Sequence, residues 1–141
     1  LPGQSSREIL CGNPADPRPS SISGGRGMKA LSIKQPWANM IAAGDKTIET
    51  RLWRTDHRGE LLIVSAKSPR IEPAGCAIAV AKLIDCRPMT ERDEIEACCH
   101  WYENAFAWIL DDIRRIEPFP VRGRLGLFDV DVTSSLRDGE S

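Results

Sequence analysis

The chain has 141 residues, of which 41% are hydrophobic and 28% charged, with a formal net charge of −1. This length suits one domain, and the composition excludes a fully disordered or collagen-like chain. No apolar run approaches the roughly 18 residues that a membrane-spanning helix needs, and the beginning of the chain lacks the layout of a secretory signal. We therefore expect a cytoplasmic protein that does not contact a membrane, with a monomer as the default oligomeric state.

Positive charge is concentrated in the first half of the chain. Residues 28–70 carry eight Lys or Arg and four Asp or Glu, a net of +4, whereas residues 71–141 carry eight and fourteen, a net of −6. A basic stretch on a chain that is almost neutral overall indicates an anionic ligand.

The five cysteines do not predict a metal site. Their number is odd, and free thiols are the default in the absence of a secretory signal. Cys98, Cys99 and His100 are adjacent, whereas zinc ligands are usually separated by two to four residues. We expect no metal and no cofactor.

Residues 1–27 are rich in Pro, Gly and Ser and show almost no apolar periodicity. Such a segment buries too little surface to offset the entropy of ordering it. We expect a flexible extension over residues 1–27, which either precedes a natural start at Met28 or is a genuine flexible arm of the protein. One domain then covers residues 28–132, and residues 133–141 form a frayed polar tail.

The sequence pattern in the first half of this domain predicts one helix and three strands. A helix begins at Pro36, which suits a first helical position, and ends at Gly44, which suits the position just after a helix. The strands cover residues 29–34, 47–53 and 61–66.

The second half predicts three more strands and one short helix. The helix covers residues 90–101 and starts with a capping box between Thr90 and Asp93. Residues 105–116 have both helical and alternating periodicity, and we favour a strand that bends at Asp111 and Asp112. The other strands cover residues 76–86 and 124–132. This order predicts an α+β domain: a small, curved, mostly antiparallel sheet closed into a barrel.

The most informative motif is G-x-K-x-x-E-x-R over residues 44–51. On a strand, Glu49 and Arg51 point to the same face, and Lys46 lies at the mouth of that strand. Glu49 and Arg51 can orient each other, which leaves Lys46 to meet an anion, a carbonyl group or a phosphate. The spacing alone favours a solvated cluster of surface ion pairs.

Several motifs resemble those of the ASCH domain family and occur in the same order. They are S-I-K-Q-P-W-A over residues 32–38, the motif over 44–51, Trp53, Thr55, Arg58 with Gly59, Ser65-Ala66-Lys67, and the segment 118–128. The resemblance covers residues 29–132. It implies a PUA-like β-barrel whose cleft, between the first helix and the barrel, binds RNA or nucleotides.

The same resemblance implies an enzymatic alternative. Some small family members are amidohydrolases that act on acylated cytidine and use the motif lysine as nucleophile or base, and others cut RNA. The amidohydrolases have Thr at the position that matches Glu49, so this sequence departs from their pattern and fits the branch that carries Glu.

We predict the following site. Ligand-binding residues are Lys34, Gln35, Trp37, Lys46, Arg51, Trp53, Arg54, Arg58, Ser65 and Lys67, and in an enzyme the catalytic residues are Lys46, Glu49 and Arg51. Each has a structural alternative, such as a core position for Trp37 or a barrel salt bridge for Arg51. The leading function is binding of RNA or a modified nucleotide in the basic cleft. The alternatives are a hydrolase of an acylated nucleoside or of RNA and, more weakly, a protein-interaction domain that uses the acidic second half.

Overall fold

The computed structural model describes residues 27–132. The predicted tail over residues 133–141 and residues 1–26 of the predicted extension lie outside this range. Strand β1 begins at Gly27, one residue before the predicted start of the domain.

The described part of the chain contains six strands and two short helices. In chain order they are β1 Gly27–Ile33, α1 Trp37–Ala42, β2 Ile48–Arg51, β3 Gly59–Ser65, β4 Cys76–Pro88, a 3-10 turn Glu91–Asp93 that leads into α2 Glu94–Ala97, β5 Phe106–Pro120 and β6 Leu127–Asp131. Neither helix is long and apolar enough to cross a membrane within this range.

The six strands form one sheet in the order β2-β5-β4-β3-β1-β6. Strands β1 and β3 pair in parallel, and the other pairs of this order are antiparallel. The sheet curls into a half-barrel, which confirms the predicted small, curved and mostly antiparallel architecture. Strands β2 and β6 stand first and last in this order, so they are the two edge strands of the sheet.

Strand β3 is buried on both faces of the sheet. Leu61 and Ile63 belong to a core cluster that includes Ile41 of α1, whereas Leu62 and Val64 belong to a second cluster on the other face. Successive side chains of a strand point in opposite directions, so this uninterrupted apolar run requires cover on both faces. Helix α1 supplies part of that cover and is thereby fixed beside the end of β1.

The bend predicted in β5 is present, and the strand is longer than predicted. Asp112 has a φ of +49°, and the pairing of β4 with β5 shifts register at three places. Helix α2, in contrast, ends four residues before the predicted boundary at Trp101. Cys98 follows it in the left-handed conformation with a φ of +57°, which ends the helix.

Asp93 holds the turn before α2 against β4. Its carboxylate accepts two hydrogen bonds from Arg87, both 2.9 Å long, and a third from the backbone N–H of Thr90 (2.8 Å). The predicted capping box between Thr90 and Asp93 is confirmed. The hydrogen bonds from Arg87, followed by those from Thr90, hold the pKa of Asp93 below its ordinary value of 3.8.

Replacement of Asp93 by Asn should lower the free energy of unfolding by roughly 1–3 kcal/mol at neutral pH, because charge-assisted hydrogen bonds are lost. A pKa that is lower in the folded state adds stability above pH 3.8, and this contribution disappears as the pH falls through the folded pKa. The difference between wild type and variant should therefore shrink in acid. Urea unfolding across this range measures it, and a constant difference would contradict the assignment.

Candidate functional site

A pocket of about 680 Å³ lies between the start of α1, the ends of β1 and β3, the edge strand β2, and the segment before β6. Its lining residues are Ser32, Ile33, Lys34, Trp37, Lys46, Glu49, Thr50, Arg51, Leu52, Trp53, Ala66, Cys99, Tyr102, Arg124, Leu125 and Gly126. This volume falls in the range of small-molecule sites. Six of the residues predicted from sequence line it: Lys34, Trp37, Lys46, Glu49, Arg51 and Trp53.

Glu49 connects the two cations of the motif. Its Oε2 accepts a hydrogen bond from Arg51 Nε at 2.8 Å, and its Oε1 lies 3.7 Å from Lys46 Nζ. Arg51 also donates to the carbonyl of Ser32 at the end of β1 (3.0 Å). Lys46, Glu49 and Arg51 therefore meet at one pocket, as predicted from the sequence.

Lys46 is almost completely buried, with 2% of its surface exposed. Gly44, with a φ of +86°, ends α1, and the backbone N–H of Lys46 then bonds to the carbonyl of Met40. The ammonium donates to the carbonyl of Ala97 at the end of α2. Of the three partners expected for Lys46, the described residues supply two, the carbonyl of Ala97 and the carboxylate anion of Glu49. Because an ammonium has three donors, one remains beyond those directed to Ala97 and Glu49.

Lys34 and Arg124 are the accessible cations of the pocket. Both are exposed, and within residues 27–132 neither has an ion-pair or side-chain hydrogen-bond partner. Lys46 and Arg51 bring the positively charged lining residues to four, against the single carboxylate of Glu49. The pocket therefore carries a net positive charge and offers two uncommitted cations to an anion.

Two indoles also line the pocket, and both are more than one-third exposed. Trp53 meets the buried Trp108 in an edge-to-face arrangement, with ring centroids 4.9 Å apart and an interplanar angle of 88°. The indole N–H of Trp108 donates to the carbonyl of Trp53 at 3.3 Å. Trp108 thus fixes the backbone and the ring of Trp53, which leaves a preorganised aromatic surface at the pocket.

The uncharged polar part of the lining was not predicted from the sequence. Tyr102 donates from its hydroxyl to Thr50 Oγ1 at 2.9 Å, and Cys99 Sγ lies 3.9 Å from the same oxygen. Arg124 was also missed as a site residue, although it lies in the closing segment that carried the family resemblance. Strand alternation indicated nothing for Cys99, Tyr102 and Arg124, because these three residues reach the pocket from loops, whereas Thr50 lies on β2 between Glu49 and Arg51.

Two predicted ligand-binding residues are buried and bonded to the protein backbone, outside the pocket lining. Gln35 accepts from the N–H of Asn39 and donates to the carbonyl of Ile71. The hydroxyl of Ser65 donates to the carbonyl of Pro73 and accepts from the N–H of Cys76.

Three predicted cations also lie outside the lining. Arg54 pairs with Asp56 at 3.3 Å, and Arg58 donates to the carbonyl of Thr55 at 3.0 Å. Lys67 is exposed and follows the lining residue Ala66.

The family model described as the ASCH domain matches residues 31–120 of this chain. The chain belongs to the ASCH domain family. The matched region includes most of the pocket-forming elements, from β1 to β5, and the PUA-like fold expected from the motifs is therefore confirmed.

Curated relatives of the chain include Activating signal cointegrator 1 from Homo sapiens and from Mus musculus, at 26% and 25% identity. Each match covers 72% of this chain and 22% of the relative, so the chain spans about a fifth of the length of these proteins.

Solved structures of ZmASCH from Zymomonas mobilis share the fold of this ASCH domain. One mutant of ZmASCH superposes with a TM-score of 0.62 at 20% identity, over 80% of this chain and 96% of that chain. Another structure of ZmASCH gives a TM-score of 0.57 at 21% identity, over 69% and 76% of the two chains.

Proposed function

We propose that this ASCH domain binds a nucleotide unit of single-stranded RNA in the pocket. One observation carries the proposal: unpartnered cations and exposed indoles line the same pocket of about 680 Å³. A nucleotide presents an anionic phosphate, which cations bind, and a flat base, which stacks on aromatic rings, so both kinds of side chain are needed in one site.

The phosphate is assigned to Lys34, Arg124 and Arg51. The first two have no partner among the described residues, and Arg51 is held in place by Glu49 and by the carbonyl of Ser32. Arginine binds phosphate through a planar fork of donors, and a guanidinium that is already oriented loses little entropy on binding. Lys46, which is almost completely buried in the pocket wall, adds positive electrostatic potential.

The base is assigned to the indole of Trp53, which Trp108 holds in position. Stacking of a base on an aromatic side chain contributes roughly 1–3 kcal/mol and tolerates any base. Thr50 and Tyr102 supply hydroxyl groups on the same lining for the sugar or the base edge.

Arg124→Ala should weaken binding of adenosine 5′-monophosphate and of a labelled oligoadenylate by roughly tenfold, which is about 1.4 kcal/mol. For the oligonucleotide, the plot of log binding constant against log salt concentration should also become less steep by about 0.7, since one phosphate contact to a single strand is lost. Fluorescence titration of the intrinsic tryptophans and of the label, at several salt concentrations, measures both effects.

Arg115→Ala is the matched control, because Arg115 is an exposed arginine of β5 outside the pocket lining. It should leave both affinities unchanged. Equal losses in the two variants would show that only the overall charge matters, and unchanged binding by Arg124→Ala would exclude the pocket as the site.

A hydrolase of an acylated nucleoside or of RNA is the second candidate, and one contact favours it. The Lys46 ammonium and the Glu49 carboxylate lie 3.7 Å apart at the pocket wall, where a proton acceptor and a cation can assist attack by water. Prolonged incubation of the wild type with labelled RNA and with acylated cytidine separates the candidates. Shortened RNA or free cytidine would support the hydrolase, and intact substrates would leave binding alone.

A further inference from the structure

We infer that a single strand held in the pocket leaves it along a second basic surface, so that the natural ligand is an oligonucleotide and not a single nucleotide. We call this surface the exit strip and define it by the side chains of Lys67 and Arg122. The inference rests on the proposed function and extends it from one nucleotide to several.

The parallel pairing of β1 and β3 places the exit strip beside the pocket. Ile33 is in register with Ser65, and the N–H of Ala66 donates to the carbonyl of Ile33 at 3.0 Å. Ala66 lines the pocket, and Lys67 follows it outside the lining. Two neighbouring strands therefore end together, one with Lys34 in the pocket and the other with Lys67 next to it.

Gly75 provides the path that the Lys67 side chain follows. A Cβ atom at this position would lie 3.0 Å from Lys67 Cγ and 3.1 Å from its Cε, and Gly75 has a φ of +66°. The lysine stem thus crosses the backbone where no side chain intervenes. Its ammonium is exposed and has no partner in the described part of the chain.

Arg122 lies on the segment between β5 and β6, which contacts Gly75 at one residue and Ser32 of the pocket lining at another. The N–H of Val121 donates to the carbonyl of Gly75 at 3.0 Å, and a Cβ atom on Gly123 would lie 3.2 Å from Ser32 Oγ. Arg122 is placed between these two contacts, is exposed, and lacks a partner over residues 27–132.

Each residue of the exit strip is thus within two positions of a lining residue in the chain, Lys67 of Ala66 and Arg122 of Arg124. Glu72, the acidic residue nearest to Lys67 in the chain, is paired with Arg70 at 3.1 Å. Neither Lys67 nor Arg122 lines the pocket, so a mononucleotide bound there does not reach them. Only a ligand with further phosphates would contact both surfaces, and single strands bind proteins through such basic tracks.

The test compares adenosine 5′-monophosphate with a labelled oligoadenylate of about eight nucleotides, within the site sizes known for single-strand binders. The Lys67→Ala/Arg122→Ala double variant should bind the oligonucleotide roughly tenfold more weakly than the wild type, with a salt slope reduced by about 1.4. Its affinity for the mononucleotide should be unchanged. An oligodeoxyadenylate of the same length shows whether the sugar matters.

The matched control is Lys82→Ala/Arg115→Ala, which also removes one lysine and one arginine without described partners, farther along β4 and β5. It should bind both ligands as the wild type does. Equal oligonucleotide affinity in the exit-strip variant and the wild type would overturn the inference, as would a parallel loss of mononucleotide binding. Failure of the wild type to bind either ligand would instead overturn the proposed function itself, and the exit strip with it.

Discussion

Glu49→Gln is expected to lower the free energy of unfolding by roughly 3 kcal/mol, because it leaves the buried Lys46 ammonium without a negative charge beside it. Breaking a buried ion pair by removing one partner typically costs about 3–5 kcal/mol. We expect the lower end of this range, since the carbonyl of Ala97 still accepts from Lys46 and the pocket admits water. Chemical denaturation at neutral pH measures the loss.

Glu60→Gln is the matched control for this prediction. Glu60 also pairs with an arginine at 2.9 Å, through Arg114 Nη2, but both side chains are partly exposed and Glu60 has no buried lysine beside it. Partly exposed ion pairs contribute at most about 1 kcal/mol, so this variant should remain close to the wild type. Equal losses in the two variants would contradict a special role for the buried charge.

A second substitution separates the charge from the packing. Lys46→Met in the Glu49→Gln background removes the ammonium that has lost its partner, and methionine occupies a similar length of apolar side chain. The double variant should be more stable than Glu49→Gln alone, because removing both charges of a buried ion pair costs less stability than leaving one of them buried without its partner. Further loss of stability in the double variant would show that Lys46 acts through its bond to Ala97.

The sequence predicted the parts of the fold and of the site that depend on local rules. Alternation along β2 predicted that Glu49 and Arg51 share a face, and their 2.8 Å contact confirms it. The glycine expected to end α1 does so, and the capping box at Thr90 is present. Each of these features depends on residues only a few positions apart, where backbone geometry decides the outcome.

The remainder depends on contacts between distant segments, which periodicity cannot show. Lys46 bonds to a carbonyl 51 residues away, and Tyr102 bonds to Thr50 across 52 residues. Gln35 and Ser65 were expected to be available to a ligand, whereas they bond to backbone groups 36 and 11 residues away in the chain. A sequence pattern locates polar side chains, but whether a ligand or the protein itself satisfies them depends on packing.

Trp108→Phe is expected to weaken the proposed RNA binding, although Trp108 does not line the pocket. Phenylalanine retains an aromatic ring against Trp53 but cannot donate to its carbonyl, so the backbone of the proposed stacking residue loses one hydrogen bond. A neutral hydrogen bond contributes about 1 kcal/mol, so affinity for the labelled oligoadenylate should fall by roughly fivefold at most. Trp108→Ala should in addition lower the free energy of unfolding by roughly 3–5 kcal/mol, because this indole is fully buried in the core.

Trp101→Phe is the matched control, because it removes a similar hydrogen bond from an indole to a backbone carbonyl, that of Met89 at 3.1 Å. Trp101 is partly exposed and lies outside the pocket lining, so this variant should keep the affinity of the wild type. Trp108→Phe should also change the fluorescence response of Trp53 to the ligand. If Trp108→Phe binds RNA as tightly as Trp101→Phe does, Trp53 is not the residue on which the base stacks, or its position does not depend on Trp108.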